Sequence, residues 1–492
     1  MSGVAKPGVS AMSAYVPPFR VRLQDWCDWT GNSWDKIQVV VGRSFRVPGR
    51  HENVYTMAAN AVLRLIEQND IDPQRVGFLG LGTESSTDNA AGAVIVRGMV
   101  DRALDALGKP RLSRNCEVPE FKHACLGGIY ALKAATRYVS CDAGDRVGIV
   151  VCADVAEYER GSTGEQTQGA GAVAMLVTSE AELFEVDLAH SGSASDYRGP
   201  DFRKPFARHF HEAYAPETQR MSDFPVFSGK YSTYSYLDET VMAVEEMLRR
   251  LNVSAGQYYH SVHSLFFHRP YEMMPVQAMS FLYVRGMARG DHYQKQLHEL
   301  CEAAGVSVET LVEESLSNPD LFASVSEQGA AVTDPYKATS AVASVLRKKP
   351  EFRDLLGQKM SMGAATVRDL GNLYSAALPV WIAAGFEQAA EQELDIMARP
   401  MVAVGYGSGD AAEAIPITPV PGWHRAASRI ALKQALANPV DLTRAQYEAL
   451  HDGHEVKGLE YAPRAEFVIT HVGQSYEPAF QDLGVEYYKY VG

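Results

Sequence analysis

KHACLGGIY, residues 122–130, places one cysteine before a glycine pair and an apolar run of helical spacing. A thiol at such a helix start faces unpaired backbone N–H groups and the positive end of the helix dipole, both of which favour the reactive thiolate. Gly127 and Gly128 carry no side chain, so a substrate or a neighbouring backbone can come close. On local sequence alone the reading of Cys125 as a small buried residue, the common role of an unpaired cysteine, is favoured over the nucleophile. Glu84, in LGTES, follows a strand-like stretch. A carboxylate at a strand end can line an α/β site, where apolar surroundings raise its pKa towards that of a useful base. A helix-capping or solvated role is its alternative, and Thr83 and Asp88 nearby suit capping. His268 closes the apolar run of SLFFHRPY, with Pro270 stopping regular structure just after it. It could donate a hydrogen bond to a carbonyl or shuttle protons, or be a satisfied structural histidine. His263 lacks that strand-end setting.

Two glycine patterns add little. GYGSG, 405–409, leads into the strand-like DAAEAIPITPV rather than into a helix, which argues against a dinucleotide fingerprint. A tight turn presenting backbone N–H groups to an oxyanion fits it better. RKKPEFR, 347–353, reads as a solvated helix end.

The elements needed to position these residues alternate along the chain. TMAANAVLRLIEQ (56–68) has a helical apolar face, and Asp72-Pro73 lies beyond its end. RVGFLGLGTES (75–85) reads as a strand entering a loop, and LGGIYALKAATRYV (126–139) as a helix. DRVGIVVCADVAEY (145–158) and GAGAVAMLVTS (169–179) read as strands buried on both faces. The stretch 190–235, rich in Gly, Pro, Ser and Tyr, reads as an irregular region covering a site. A second half follows: a helix at 237–251, a strand in HSVHSLFFH (260–268) and a long polar helical stretch over about 276–362. After it come a small-residue helix at 372–392 and strands MVAVGYG (401–407) and EFVITHVG (466–473). Strands alternating with helices indicate an α/β fold around a central sheet.

With 492 residues and 46% hydrophobic content the chain can bury a large core. A net charge of −14 argues against general nucleic-acid binding, though not against an anionic small ligand. The six cysteines lack CxxC spacing, so neither a disulfide framework nor a zinc site is expected. No apolar run approaches the ~18 residues of a membrane span, and no signal-peptide core is present; a cytoplasmic protein is expected.

Taken together, HACLGG, the helix–strand–LGTES stretch, ADVAEYERG…TQGAGAVAMLV, DFRKP, FFHRPY, GNLYSAAL and VGYGSG resemble, in order, the 3-hydroxy-3-methylglutaryl-CoA (HMG-CoA) synthase family. That family is a branch of the thiolase-fold condensing enzymes. The resemblance implies a five-layered αβαβα fold of two similar halves. These are 1–235, carrying Glu84 and Cys125, and 236–492, carrying His268 and Asn372 with a helical insertion at about 276–362. It implies that Cys125 carries an acetyl group from acetyl-CoA and that Glu84 removes a proton from its methyl. His268 with Asn372 would polarise the carbonyl of a 3-oxoacyl thioester, acetoacetyl-CoA or a carrier-protein-bound equivalent. Gly169, Tyr374, Gly407 and Ser408 would lie at the substrate and oxyanion positions. No metal or prosthetic group is implied, and relatives suggest a homodimer that binds neither nucleic acid nor membrane. A polyketide-type synthase, a condensing enzyme with another acyl donor, a cysteine-dependent thioester hydrolase and a non-catalytic scaffold stand as alternatives. Departures from the family pattern are His123, Leu126, Ser228, Asp410, and Met273 in place of a lysine associated with CoA.

Overall fold

A computed structural model describes residues 6–199, 201–204, 224–328 and 333–492. Its centre is a ten-stranded sheet. The strands are β1 (Gly8–Tyr15), β2 (Val76–Gly82), β3 (Glu120–Phe121), β4 (Val147–Ala156), β5 (Gly169–Thr178), β6 (Phe184–Val186), β7 (Gly192–Ser195), β8 (Ser264–Phe267), β9 (Met401–Gly407) and β10 (Ala411–Pro419). They are hydrogen-bonded in the order β8-β9-β10-β6-β1-β5-β4-β2-β3, with β7 also on β10. Each half contains a parallel pair, β2 with β4 and β8 with β9, continued by antiparallel neighbours. β6 joins the halves by pairing with both β1 and β10.

Helices α1 (Val54–Gln68) and α2 (Gly92–Ala106) lie outside the first half. α1 covers β1, β4 and β5, and its start is fixed by a capping box between Asn53 and Thr56. That cap starts the helix two residues before the apolar periodicity becomes visible. In the middle lie α3 (Gly127–Cys141), against β2 and β4, and α6 (Ala377–Glu391), against β8 and β9. Outside the second half lies α4 (Lys230–Leu251), against β7, β10 and β9, and on it α5 (Met273–Ala288). Outer helices, half-sheet, central helices, half-sheet and outer helices make the five layers that the resemblance implies.

Several local expectations shift. The strand expected over 260–268 is confined to Ser264–Phe267, because Ala255–Ser261 closes into a helical turn. The region over 276–362 is a set of separate short helices, and its first, α5, is mostly buried rather than polar. β7 and the first turns of α4 fall inside the stretch expected to be irregular; residues 205–223 of it lie outside the described residues. α4 runs across position 235. Among the described residues no helix is long and apolar enough to cross a membrane.

Candidate active site

The two halves place chemically different residues at corresponding points. Glu84 lies just beyond the end of β2, and His268 just beyond the end of β8. Cys125 precedes α3, and the Asn372–Ser375 turn precedes α6. The starts of these two central helices meet: a Cβ at Gly128 would collide with Cys152 Sγ and crowd the Ser375 carbonyl oxygen at 3.1 Å.

Ala124 turns the chain at φ +43°, a left-handed conformation that few non-glycine residues adopt. Leu126 N then donates to the His123 carbonyl at 2.9 Å, and α3 begins without any side-chain cap. Gly407 is what lets β9 close against this turn, since a Cβ there would sit 2.5 Å from the His123 carbonyl oxygen. Gly169 does the same for the asparagine turn: its Cβ would fall 2.5 Å from the Asn372 carbonyl oxygen. Neither glycine lines the cavity; both bring its walls together.

A cavity of about 360 Å³ results, lined by Cys125, His268, Asn372, Tyr374, Tyr406 and Ser408 among others. No lysine or arginine is among its described lining residues. Tyr158, Tyr374, Phe202 and Phe227 pack around Cys125. Asn372 Oδ1 accepts from Tyr374 N at 2.9 Å, leaving the amide nitrogen as the donor end of that side chain. Glu84 lines a neighbouring cavity of about 200 Å³, where Lys204 Nζ stands 3.0 Å from its Oε2. Burial raises the Glu84 pKa above the usual carboxylate range, and Lys204 works against the rise.

One expectation is reversed. The helix start does not leave Cys125 as a thiolate: burial, then the charges of Glu84 and Asp154, push its pKa well above the ordinary thiol value. Desolvating an anion and setting it beside two carboxylates outweighs one helix dipole. Peptide-mapped iodoacetamide labelling at pH 7 should therefore modify Cys125 more slowly than the exposed Cys141, with the rate at Cys125 climbing as pH rises. Preferential labelling of Cys125 at neutral pH would show that the dipole wins. Burial also drives the His268 pKa down to about 3, so its imidazole is neutral at physiological pH. Among the described residues its Nδ1 has no hydrogen-bond partner, while its backbone is fixed by Val404 O at 2.7 Å and by the Tyr236 hydroxyl at 2.9 Å.

Sequence reading missed Asp154, the centre of the site's hydrogen bonding. It lies on β4 and is fully buried. Its Oδ1 accepts from Glu84 N and Ser85 N, both at 2.8 Å, and from the hydroxyls of Thr83 (3.0 Å) and Ser85 (2.6 Å). Its Oδ2 accepts from Ser375 N (2.9 Å) and Ser375 Oγ (2.5 Å). A charged residue in the middle of VGIVVCADVA was the available signal. The departures from the family pattern also find places. Leu126 is buried against Gly405 and Gly407, and His123 sits edge-on to Tyr130 at 5.6 Å. Met273 opens α5 while Met274 lines the cavity. Asp410 lies behind the wall, where it and Asp201 (3.0 Å) both accept from the Tyr406 hydroxyl.

This arrangement of halves defines a protein of the thiolase fold. Solved structures share it: MvaS in complex with 3-hydroxy-3-methylglutaryl coenzyme A superposes with a TM-score of 0.74 at 22% identity, over 99% of this chain and 100% of that one. The HMG synthase of the curacin biosynthetic pathway, in complex with an acetyl donor-ACP, gives 0.69 at 19% identity over the same shares. Residues 5–182 match the family model described as hydroxymethylglutaryl-coenzyme A synthase N terminal. A hydroxymethylglutaryl-CoA synthase of Haloferax volcanii is 26% identical over 443 residues, 88% of this chain and 89% of that protein. The chain is thus similar to HMG-CoA synthases over most of its length, and its residues 5–182 match that family's N-terminal model.

Proposed function

We propose that the protein joins an acetyl group carried on Cys125 to the 3-carbonyl of acetoacetyl-CoA and hydrolyses the adduct to HMG-CoA and free enzyme. The observation that carries this reading is one apolar cavity holding Cys125, His268 and Asn372, with Glu84 directly beside it. In the first step Cys125 Sγ bonds to the acetyl carbonyl carbon, the bond to the CoA sulfur breaks, and the thiol proton ends on CoA. The Glu84 carboxylate then removes a methyl proton from acetyl-Cys125, and the resulting carbon nucleophile attacks the acceptor's 3-carbonyl. A neutral His268 suits that carbonyl, because it donates an N–H without adding a charge that burial disfavours. The new alkoxide regains the proton that Glu84 took. Water finally bonds to the Cys125 thioester carbon, and the sulfur leaves and is reprotonated.

A carrier-protein-bound acceptor is the second reading. Met273 in the family's lysine position and a cavity whose described lining carries no cationic side chain favour it. Intact-protein mass spectrometry tests both. Acetyl-CoA should add one acetyl group, mapped to the Cys125 peptide, and acetoacetyl-CoA should discharge it. Discharge only by an acetoacetyl carrier protein would select the second reading, and the absence of any adduct would remove both.

A further inference from the structure

The cations near the Glu84 carboxylate are placed very differently. Lys122 and Arg203 are exposed, and Arg203 Nη1 donates to the Gly199 carbonyl at 3.2 Å. Among the described residues only Lys204 forms an ion pair with Glu84, its Nζ 3.0 Å from Oε2. The Glu84 side chain is 8% exposed and that of Lys204 28%, which shelters the pair from the screening that weakens surface pairs. The ammonium also lies over the Tyr374 ring, 5.6 Å from its centre, so it is held from two sides. The chain that delivers it is fixed as well. Arg203 and Val226 exchange backbone hydrogen bonds at 2.8 and 2.9 Å, and Phe202 packs into the cluster around the thiol. The buried Asp201 carboxylate accepts from the Tyr406 hydroxyl at 3.0 Å. The other groups around Glu84 supply no second counter-charge. Asp154 on β4 is of like sign, and burial pushes the Tyr158 and Tyr374 phenols up and so keeps them neutral. Burial also lowers the His123 pKa, leaving that imidazole neutral at pH 7. Cys125 carries no charge once it is acylated.

An ion pair at this point meets a need of the proposed chemistry. Only the ionised carboxylate can take the methyl proton of acetyl-Cys125, yet burial, with Asp154 nearby, favours the protonated form. We infer that Lys204 is a positioning residue for the base, its ammonium keeping Glu84 ionised and fixed in place at neutral pH. This rests on the acyl-enzyme reading above. In the step it supports, the methyl C–H bond breaks, its electron pair stays with the new carbon nucleophile, and the proton joins Glu84. Lys204 keeps its own protons throughout.

The test is the pH profile of methyl-proton exchange in deuterated water, read by mass on enzyme already acetylated. It compares the wild type with Lys204→Met, Lys204→Gln and Lys204→Arg. Removing an opposite charge this close should move the rising limb of Lys204→Met to higher pH by about one pH unit, the low end of the usual effect because the lysine is partly exposed. On that limb exchange should be about tenfold slower than in the wild type. At the alkaline plateau it should match or exceed the wild type, because a carboxylate that ionises at higher pH is the stronger base. Lys204→Gln should behave like the Met variant, and Lys204→Arg, which keeps the charge, should keep the wild-type limb. Each variant's adduct yield reports its fold, and two charge-free substitutions guard against one that misfolds. A lysine that merely braced the loop would lower exchange equally at every pH. That pattern, or an unmoved limb in the charge-free variants, would overturn the inference while leaving the synthase reading standing. Absence of adduct or of exchange in the wild type would remove the acyl-enzyme reading itself, and this inference with it.

Discussion

Glu84→Gln should leave acetyl transfer to Cys125 nearly unchanged while slowing condensation by roughly a hundred- to ten-thousandfold, the usual worth of a positioned general base. Gln keeps the shape, and the backbone N–H of residue 84 keeps its bond to Asp154, so the loop should hold. What disappears is the basic oxygen beside Lys204. The sharpest readout is exchange of the methyl protons of acetyl-Cys125 with deuterated water, which needs the base but no acceptor. In the wild type the exchange should rise with pH through a pKa above the ordinary carboxylate range, because burial holds Glu84 protonated to higher pH and only the ionised form abstracts a proton. In Glu84→Gln that limb should vanish. If exchange and condensation persist at wild-type rates, Glu84 is not the base. A plain thioester hydrolase predicts a different pattern, with neither exchange nor condensation in either protein.

How far the sequence led depended on whether the information was local. β2, α3, β4 and β5 were legible because apolar residues recur along most of their length, Asp154 being the one charged interruption in β4. β8 was legible in its apolar core but not at its start, because His260 and Ser261 end a helical turn and Val262 caps it before the strand begins at Ser264. The shared cavity of Cys125, His268 and Asn372 could be expected from ordered motifs, but the protonation of the thiol could not. The thiol's pKa depends on Asp154 and Glu84, which lie on other elements and approach only in three dimensions. Asp410 shows the same limit. As a departure from family pattern beside Ser408 it pointed towards substrate, yet its carboxyl lies behind Tyr406, paired with Asp201 in the protein interior. That Cys125 and Glu84 line neighbouring cavities meeting at Phe202 and Ser408 had no sequence signal.

Asp154→Ala should be the most damaging single change at the site that spares every residue in the proposed chemistry. It strips acceptors from three backbone N–H groups, those of Glu84, Ser85 and Ser375, and from three hydroxyls, all at the junction of the two halves. The hydroxyl of Ser375 retains Gly82 O at 2.9 Å, but the three N–H groups lose the acceptor that fixes them. Unpaired buried donors cost about 1–3 kcal/mol each, so a loss of roughly 4 kcal/mol is expected even with relaxation and water entry. Urea titration followed by tryptophan fluorescence should show the lower midpoint. The functional effect should differ in kind from that of Glu84→Gln. The Glu84 loop and the turn carrying Asn372 and Tyr374 both hang on this one carboxylate, so acetyl transfer, methyl exchange and condensation should fall together. Asp154→Asn separates the contributions: its remaining oxygen can still serve one side, while its NH2 must face donors on the other, so it should lie between wild type and alanine. Wild-type stability and activity in Asp154→Ala would mean that the six contacts are incidental and that the two loops are held by packing alone.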